Sequence, residues 1–442
     1  MPAAPMARAI SGRLKRSWSR RGGMPRVLFI NQYGWPDHAS TAQHLTDLAE
    51  SLVRKGHEVH VLCSRGGYKP GQPMRPRREV HNGVTIHRVG ATAMGRRSTI
   101  TRMADYLSFY LLAAVRSLML PRPDVVVTLT TPPLIALLGM MLKALRGSRH
   151  VSWSMDLHPD ASLALGRMKK TNPIVRLLAH LADSTYRAAD RVVVLGDYMG
   201  DLVAAKKVRP SRIVTIPVWS RRDEITPCPR EGHPLRERFG LSDRFVAMYS
   251  GNHGLAHSFD EFLEAARRLR DRDDIAFLFL GDGPRRDEVV RAKEEDGLAN
   301  VVLMDYVPRS DLHLSLTIAD VHLISMRSEM TGIVVPSKVY GAMASGRPCL
   351  FVGPDHCEVA DAIREASCGL TVRLGEPGNL VSALELLASD PDLRARYGER
   401  GREAFLARYE RAVCCDAWAS LVEDLVGVPA VEAPLAIATN GR

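Results

Sequence analysis

From Arg26 onward, short apolar runs alternate with stretches of helical periodicity. The run at 26–31 (RVLFIN) is continuous and apolar, as in a strand covered on both faces. In the segment 40–55, Leu45, Leu48, Leu52 and Val53 recur at helical spacing, and Gly56 stands where a helix ends. Further strands are predicted at 58–63, 84–89, 124–129, 150–155, 191–195 and 212–217, with helices filling most gaps. Repeated strand–helix–strand units imply a parallel sheet covered on both faces. The rhythm breaks at 221–241, a Pro- and charge-rich stretch that reads as an inter-domain linker. It resumes with strands at 244–250, 275–280, 300–304, 320–325, 348–352 and 369–373. The fold class is therefore α/β, two Rossmann-like doubly wound domains facing across a cleft, with ligand loops at the carboxyl ends of the strands.

Of the 442 residues, 45% are hydrophobic and 25% charged, the mix of a folded globular chain. No apolar run reaches the roughly 18–20 uncharged residues of a spanning helix. Seven scattered cysteines, with no CxxC pair and no grouped histidines, disfavour a disulfide framework and a zinc site and fit the reducing cytosol. Charge is uneven: residues 1–24 carry six basic side chains and no acid, 25–220 carry a net +14, and 221–442 a net −9. A basic front half suggests a polyanion, either nucleic acid or an anionic membrane surface, against the plainer reading of a biased solvated surface. The expected division is a disordered basic tail (1–24), a front domain (25–220), the linker (221–241), a back domain (242–410), a C-terminal helix (411–427) able to pack back toward the front domain, and a tail (428–442).

The chemistry concentrates in loops that directly follow strands. NQYGWPDHAST (31–41) leads into the helix at Ser40, with Ser40 and Thr41 at its start. SGNHGLAH (250–257) follows the first strand of the back half, and GDGP (281–284) follows the next. Pro336, Ser337 and Lys338 open a further helix, a combination suited to a diphosphate, although PSK can also be a capped core helix. The D-x-D pairs at 271–273 and 390–392 read as solvated turns, so no metal and no cofactor is expected. GDGPRR lacks the third glycine of a dinucleotide fingerprint, and no Walker lysine motif is present, which disfavours a dehydrogenase and a P-loop ATPase.

The ordered set GHEVHVL (56–62), WSMDLHPD (153–160), YSGNHG (249–254), GDGP (281–284) and VPSKVYGAMASGRP (335–348) resembles the GT-B-fold glycosyltransferases of family four. Within these it is most similar to the bacterial O-antigen and capsule subgroup that includes N-acetylfucosamine and N-acetylglucosamine transferases. The resemblance spans about Arg26 to Tyr409. It implies retaining transfer from a nucleotide-diphosphate sugar, a UDP-sugar, held by the back domain, to an acceptor held by the front domain. It also implies that Gly281 and Gly283 line the nucleotide pocket, that Tyr306 and Val307 lie near the base, that Pro336, Ser337 and Lys338 hold the diphosphate, and that Asp156 and His158 face the acceptor and the moving sugar.

The sequence departs from the family at two places. Where many relatives carry Arg and Lys after the first back-domain strand, Asn252 and His257 stand here, leaving Lys338 and Arg327 as the expected phosphate cations. The paired-glutamate motif E-x7-E is broken: one alignment gives Ile333 and Gly341, the other Glu329 and Ser337. Glu329 is then the candidate acid facing the sugar, and Glu358 a candidate for the ribose, against plainer roles as a surface carboxylate and a helix N-terminal acid. The leaving diphosphate needs N–H groups and Lys rather than a proton. Asp156 is the candidate base for the acceptor hydroxyl, against a buried strand-end role. With no close carboxylate pair, transfer without an enzyme-bound sugar is expected.

On the front side, Arg75, Arg77, Arg78, Arg96, Arg97, Arg102, Lys169 and Lys170 accompany apolar segments at 106–115 and 134–142. This fits peripheral docking at the inner face of the plasma membrane and a lipid-diphosphate-linked saccharide acceptor, with ordinary core helices as the alternative. Nucleic acid is disfavoured because aromatic–basic interleaving is missing. A non-catalytic relative and a nucleotide-sugar 2-epimerase are the remaining rivals.

Overall fold

The computed structural model of the chain describes residues 24–67, 73–90 and 99–427, without the side chains of 99–103 and Arg309. Both expected tails, apart from Met24, lie outside the described residues, as do Arg96, Arg97 and the side chain of Arg102. The front lobe holds strands β1 (Arg26–Ile30), β2 (Glu58–Ser64), β3 (Arg78–His81), β4 (Val84–Val89), β5 (Val125–Thr128), β6 (Arg149–Trp153), β7 (Arg191–Val194) and β8 (Ile213–Thr215). Their order is β3-β4-β2-β1-β5-β6-β7-β8, and every pairing is parallel except β3 with β4. The back lobe holds β9 (Phe245–Ser250), β10 (Ile275–Leu280), β11 (Val301–Met304), β12 (Val321–Ser325), β13 (Cys349–Val352) and β14 (Gly369–Val372), in the order β11-β10-β9-β12-β13-β14. In each sheet the first strand of the lobe, β1 or β9, lies inside the sheet, and both are almost wholly buried because helices cover both faces.

Three elements differ from the sequence reading. β3 was not anticipated; it pairs with β4 across Asn82-Gly83, both at positive φ, as a tight hairpin requires. The segment 221–241 is not a free linker. Ile225 and Leu241 are buried, and the helix Pro234–Arg238 drives the Arg236 guanidinium to Asp320 Oδ2 at 3.1 Å and to the Ile318 carbonyl at 2.7 Å. Asp320 Oδ2 also accepts the Val246 N–H at 2.8 Å, so charged residues that look like linker chemistry lock the base of β9. The amphipathic spacing over 391–426 predicts one helical stretch, yet Pro391–Ala404 and Arg411–Val426 are separate helices, parted by a wide turn at Phe405–Tyr409 and by extended Glu410. Glu410 caps the second helix by accepting the Ala412 N–H at 2.6 Å, and its backbone bridges Ser220.

That last helix lies on the front lobe. Lys55 pairs with Asp416 at 2.8 Å, and Trp418 packs on Trp153 (4.7 Å between ring centres), which in turn stacks on Trp219. Trp219 Nε1 donates to Asp47 Oδ2 at 3.1 Å. One buried apolar cluster runs through both lobes and this helix, so the chain ties its two lobes together behind the cleft.

Candidate donor and acceptor site

The loops after β9 and β10 are pressed together. Gly281 has φ +122°, and a Cβ there would overlap the Gly251 carbonyl oxygen; the Tyr306 ring lies just beyond. A side chain at 281 is thus excluded by backbone, not by a side chain that could move. Gly283 is in the same position against His253 and Asn252. Val307 packs partly against the core, while Tyr306 is exposed beside this glycine pair.

Lys338 begins the short helix Lys338–Ala344 and points back at β9. Its ammonium donates to the Tyr249 hydroxyl and sits 3.7 Å from the centre of the Tyr249 ring. Tyr249 in turn donates to the Asn252 carbonyl at 2.9 Å. Among the described residues no carboxylate pairs with Lys338, and burial alone pushes its pKa well below the usual lysine value. An ammonium half withdrawn from water without a paired carboxylate is costly, so this arrangement suits an anion that arrives from outside. Pro336 is buried, and Ser337 stands at the helix start without capping it, leaving its hydroxyl unspent.

The neighbouring histidines do not add charge. His257 Nδ1 lies 2.6 Å from the Ser325 carbonyl, and burial pushes its pKa down to about 3. His253 stacks on Phe259 and is pushed down to about 4, again by burial. His257 is therefore a neutral donor to the backbone and supplies no cation near neutral pH. Arg285, which sequence reasoning missed, donates to the His257 carbonyl and pairs with Glu288, bracing the 250–257 loop. Tyr249 was also missed as the seat of Lys338; its place at the end of a strand beside GNHG was the available signal. Arg327 and Glu329, expected as phosphate cation and sugar acid, sit together on an exposed turn with Nε and Oε1 3.7 Å apart.

The front lobe meets this turn directly. Beyond β6, the Asp156 backbone bridges Val334, and the Leu157 N–H donates to the Ile333 carbonyl at 3.1 Å. Asp156 thus stands at the seam, on a segment hydrogen-bonded to the strand of chain that leads to Lys338. Burial raises its carboxyl pKa, with His158 opposing the shift. Asp156 and His158 line a cavity of about 30 Å³ together with Thr130, Ser152, Thr185 and Tyr186. Ser40 and Thr41 lie at the outer end of the helix Ser40–Arg54, whose first turn holds no acid and whose N-cap, Ala39, offers no side-chain cap.

Glu358 is placed differently from the ribose contact expected of it. Its Oε1 accepts the Met199 N–H at 3.0 Å, at the start of the front-lobe helix Asp197–Ala205. Gly196 makes this possible, since a Cβ there would overlap the Glu358 side chain. Tyr198 donates to Asp361 Oδ2 at 2.8 Å alongside. Glu358 therefore joins the lobes, while its buried Oε2 has no hydrogen-bond partner among the described residues. Ile333 and Gly341, the other pair of motif positions, are buried and carry no acid.

Two doubly wound lobes that meet along a seam, each with its loops at the carboxyl ends of a parallel sheet, have the architecture of a GT-B glycosyltransferase. Residues 40–219 match the glycosyl transferase 4-like domain, and residues 234–404 match the glycosyl transferases group 1 family. The chain belongs to the GT-B glycosyltransferases of family four. It is 28% identical to "Probable glycosyltransferase WbjE" of Pseudomonas aeruginosa, over 69% of this chain and 76% of that protein. It is 25% identical to a protein of Escherichia coli K12 named as the colanic acid biosynthesis glycosyl transferase WcaI, over 73% and 82% of the two chains. In fold it resembles HepE of Anabaena, solved in complex with UDP-glucose, with a TM-score of 0.67, 13% identity, and coverage of 90% and 100% of the two chains.

Proposed function

We propose that this glycosyltransferase moves a sugar of the N-acetylated hexosamine type, with retention, from a UDP-sugar to a lipid-linked saccharide in cell-surface polysaccharide synthesis. The observation that carries the reading is Lys338, a half-buried ammonium held by a tyrosine hydroxyl and ring, with no carboxylate paired to it among the described residues. The glycine loops beside it hold the ends of two strands close together next to this ammonium, and the names of WbjE and WcaI support the polysaccharide setting. UDP as the nucleotide is supported by the complex of the similarly folded HepE.

In this reading the bond from the sugar anomeric carbon to the phosphate oxygen breaks as the acceptor oxygen bonds to the same face. Lys338 and the Ser337 hydroxyl stabilise the charge that gathers on the diphosphate. The acceptor proton passes to Asp156, whose raised pKa makes it a stronger base than an ordinary carboxylate. Glu329, exposed on its turn, faces the sugar hydroxyls. No helix among the described residues is long and apolar enough to cross a membrane, so contact with an anionic membrane is read as peripheral. The test is a panel of radiolabelled UDP-sugars with a lipid-diphosphate saccharide acceptor. Transfer with retained anomeric configuration supports the reading. Inert donors throughout would contradict it, and free epimerised sugar formed without acceptor would mark a 2-epimerase instead.

A further inference from the structure

We propose that the cavity beside Asp156 is a subsite that receives the acetamido group of the acceptor sugar. Three stretches of chain enclose this space of about 30 Å³: the loop after β5, the segment that leaves β6, and one face of the helix Pro173–Ala188. Ala182, Thr185 and Tyr186 supply that face, at helical spacing. The cavity thus lies at the carboxyl ends of neighbouring parallel strands, where open sheets of this kind take their ligands.

Its lining is of two kinds. Leu129, Ile135 and Ala182 are buried and form an apolar wall, which Leu134 extends. Thr130, Asp156 and His158 make the other side polar. The Thr185 hydroxyl is already spent on the Ala182 carbonyl at 2.7 Å. The Thr130 hydroxyl oxygen, itself buried, has no partner among the described residues. A buried hydroxyl left unpaired is costly, and a ligand group that meets it removes the cost.

The backbone of the loop points the same way. Leu134 has φ +68°, a conformation that favours glycine and that a bulky side chain adopts at a cost. Such backbone persists only where its surroundings impose it, and it collects at ligand sites. Here it stands in the turn that leads into the helix Ala136–Arg146, with the Leu137 N–H donating to the Leu134 carbonyl at 2.9 Å.

Size and polarity select the occupant. A sugar that brings a hydroxyl to Asp156 brings the substituent of the neighbouring ring carbon to the cavity, because Asp156 belongs to its lining. A hydroxyl in that place would leave the apolar wall against a polar group. A phosphate or carboxylate would meet the Asp156 carboxyl as a like charge. An acetamido group offers its methyl to the wall and its carbonyl to the Thr130 hydroxyl. The volume exceeds the roughly 10–15 Å³ that one water needs, and it suits the tip of such a group rather than a second ring. Assignment to the acceptor rests on Asp156 as the base of the proposed transfer, whereas binding of the group does not.

The test uses the full chain in two arms. In the first, saturation-transfer NMR compares the methyl glycosides of N-acetylglucosamine and glucose, without donor. The acetyl methyl should take the strongest saturation in the wild type and lose most of it in Thr130→Val and in Ala182→Leu. In the second, kcat/KM is compared for lipid-diphosphate-linked N-acetylglucosamine and glucose as acceptors. The wild type should prefer the acetamido acceptor by about 10–200-fold. Ala182→Leu fills the cavity and should bring that ratio toward one. Thr130→Val keeps the shape without the hydroxyl, so Tm should hold or rise while the ratio falls about three- to tenfold. Variants that shift Tm yet leave the ratio and the acetyl signal unchanged would make the cavity a packing defect and overturn the proposal. So would a wild type without an acetyl methyl signal, or an effect confined to the choice between UDP-N-acetylglucosamine and UDP-glucose as donors. If the acetyl signal obeys the variants but no UDP-sugar is used, the subsite stands and the donor reading fails.

Discussion

In the back lobe the ligand surface is closed and internally braced. Gly281 abuts Gly251, Tyr249 seats Lys338, and Arg285 ties down the 250–257 loop. In the front lobe it is open: Ser40 is exposed at a helix end without a side-chain cap, and Asp156 and His158 are among the residues that line a cavity of about 30 Å³. In the proposed function the contrast matches what each lobe handles. A nucleotide diphosphate is a fixed shape and charge, well served by backbone and one half-buried cation, whereas a saccharide acceptor is recognised by scattered hydroxyls that water can also reach. The difference teaches that the back-lobe loops are held by positions where a Cβ is impossible, whereas the front-lobe helix end at Ser40 is left free to vary.

Four substitutions break or sharpen this contrast. Asp156→Asn should lower kcat by about 10²–10⁴-fold, with the donor KM little changed. Because its folded pKa is raised, the wild-type rate should fall on the acid side at a pH above the usual carboxylate range, and that limb should vanish in the variant. Lys338→Met should lower kcat/KM for the donor by about 10²–10³-fold, while Tm holds or rises, since a half-buried charge without a paired carboxylate is removed. A parallel loss of Tm and activity would make Lys338 merely structural. Trp418→Ala should cost about 3–5 kcal/mol in denaturant unfolding, because the tryptophan is fully buried against Trp153. Glu358→Ala should cost about 1 kcal/mol through loss of the cap on Asp197–Ala205. A larger effect on donor KM than on stability would restore a ribose role for this residue.

Much of the fold was legible because strand–helix alternation is strong where both faces are buried, and the sheet-forming runs at 26–31, 244–250 and 275–280 lie where the structure has β1, β9 and β10. β3 escaped because REVH is short and polar, although Asn82-Gly83 announced its hairpin. The 221–241 segment misled because Arg236 and Asp320 are buried through each other, and periodicity assigns charged residues to water. At the site, the glycine loops and PSK could be read from order along the chain. Tyr249 beneath Lys338, the neutral state of His257 and the lobe-joining of Glu358 could not, because each depends on a neighbour distant in sequence or on desolvation.

The central claim is that Lys338, protonated, is the counter-charge of a bound nucleotide diphosphate. Its lowered pKa means that it loses its proton at a lower pH than an ordinary lysine, so UDP affinity must fall as pH rises, and UDP binding must take up protons. Calorimetric titration of UDP into the wild type and Lys338→Met across pH, in buffers of differing ionisation heat, reads both quantities at once. The fall in affinity toward high pH, and the proton uptake that accompanies it above the phosphate's own ionisation, are expected in the wild type and should be lost in the variant. Equal UDP affinity in the two proteins, or affinity indifferent to pH, would contradict it.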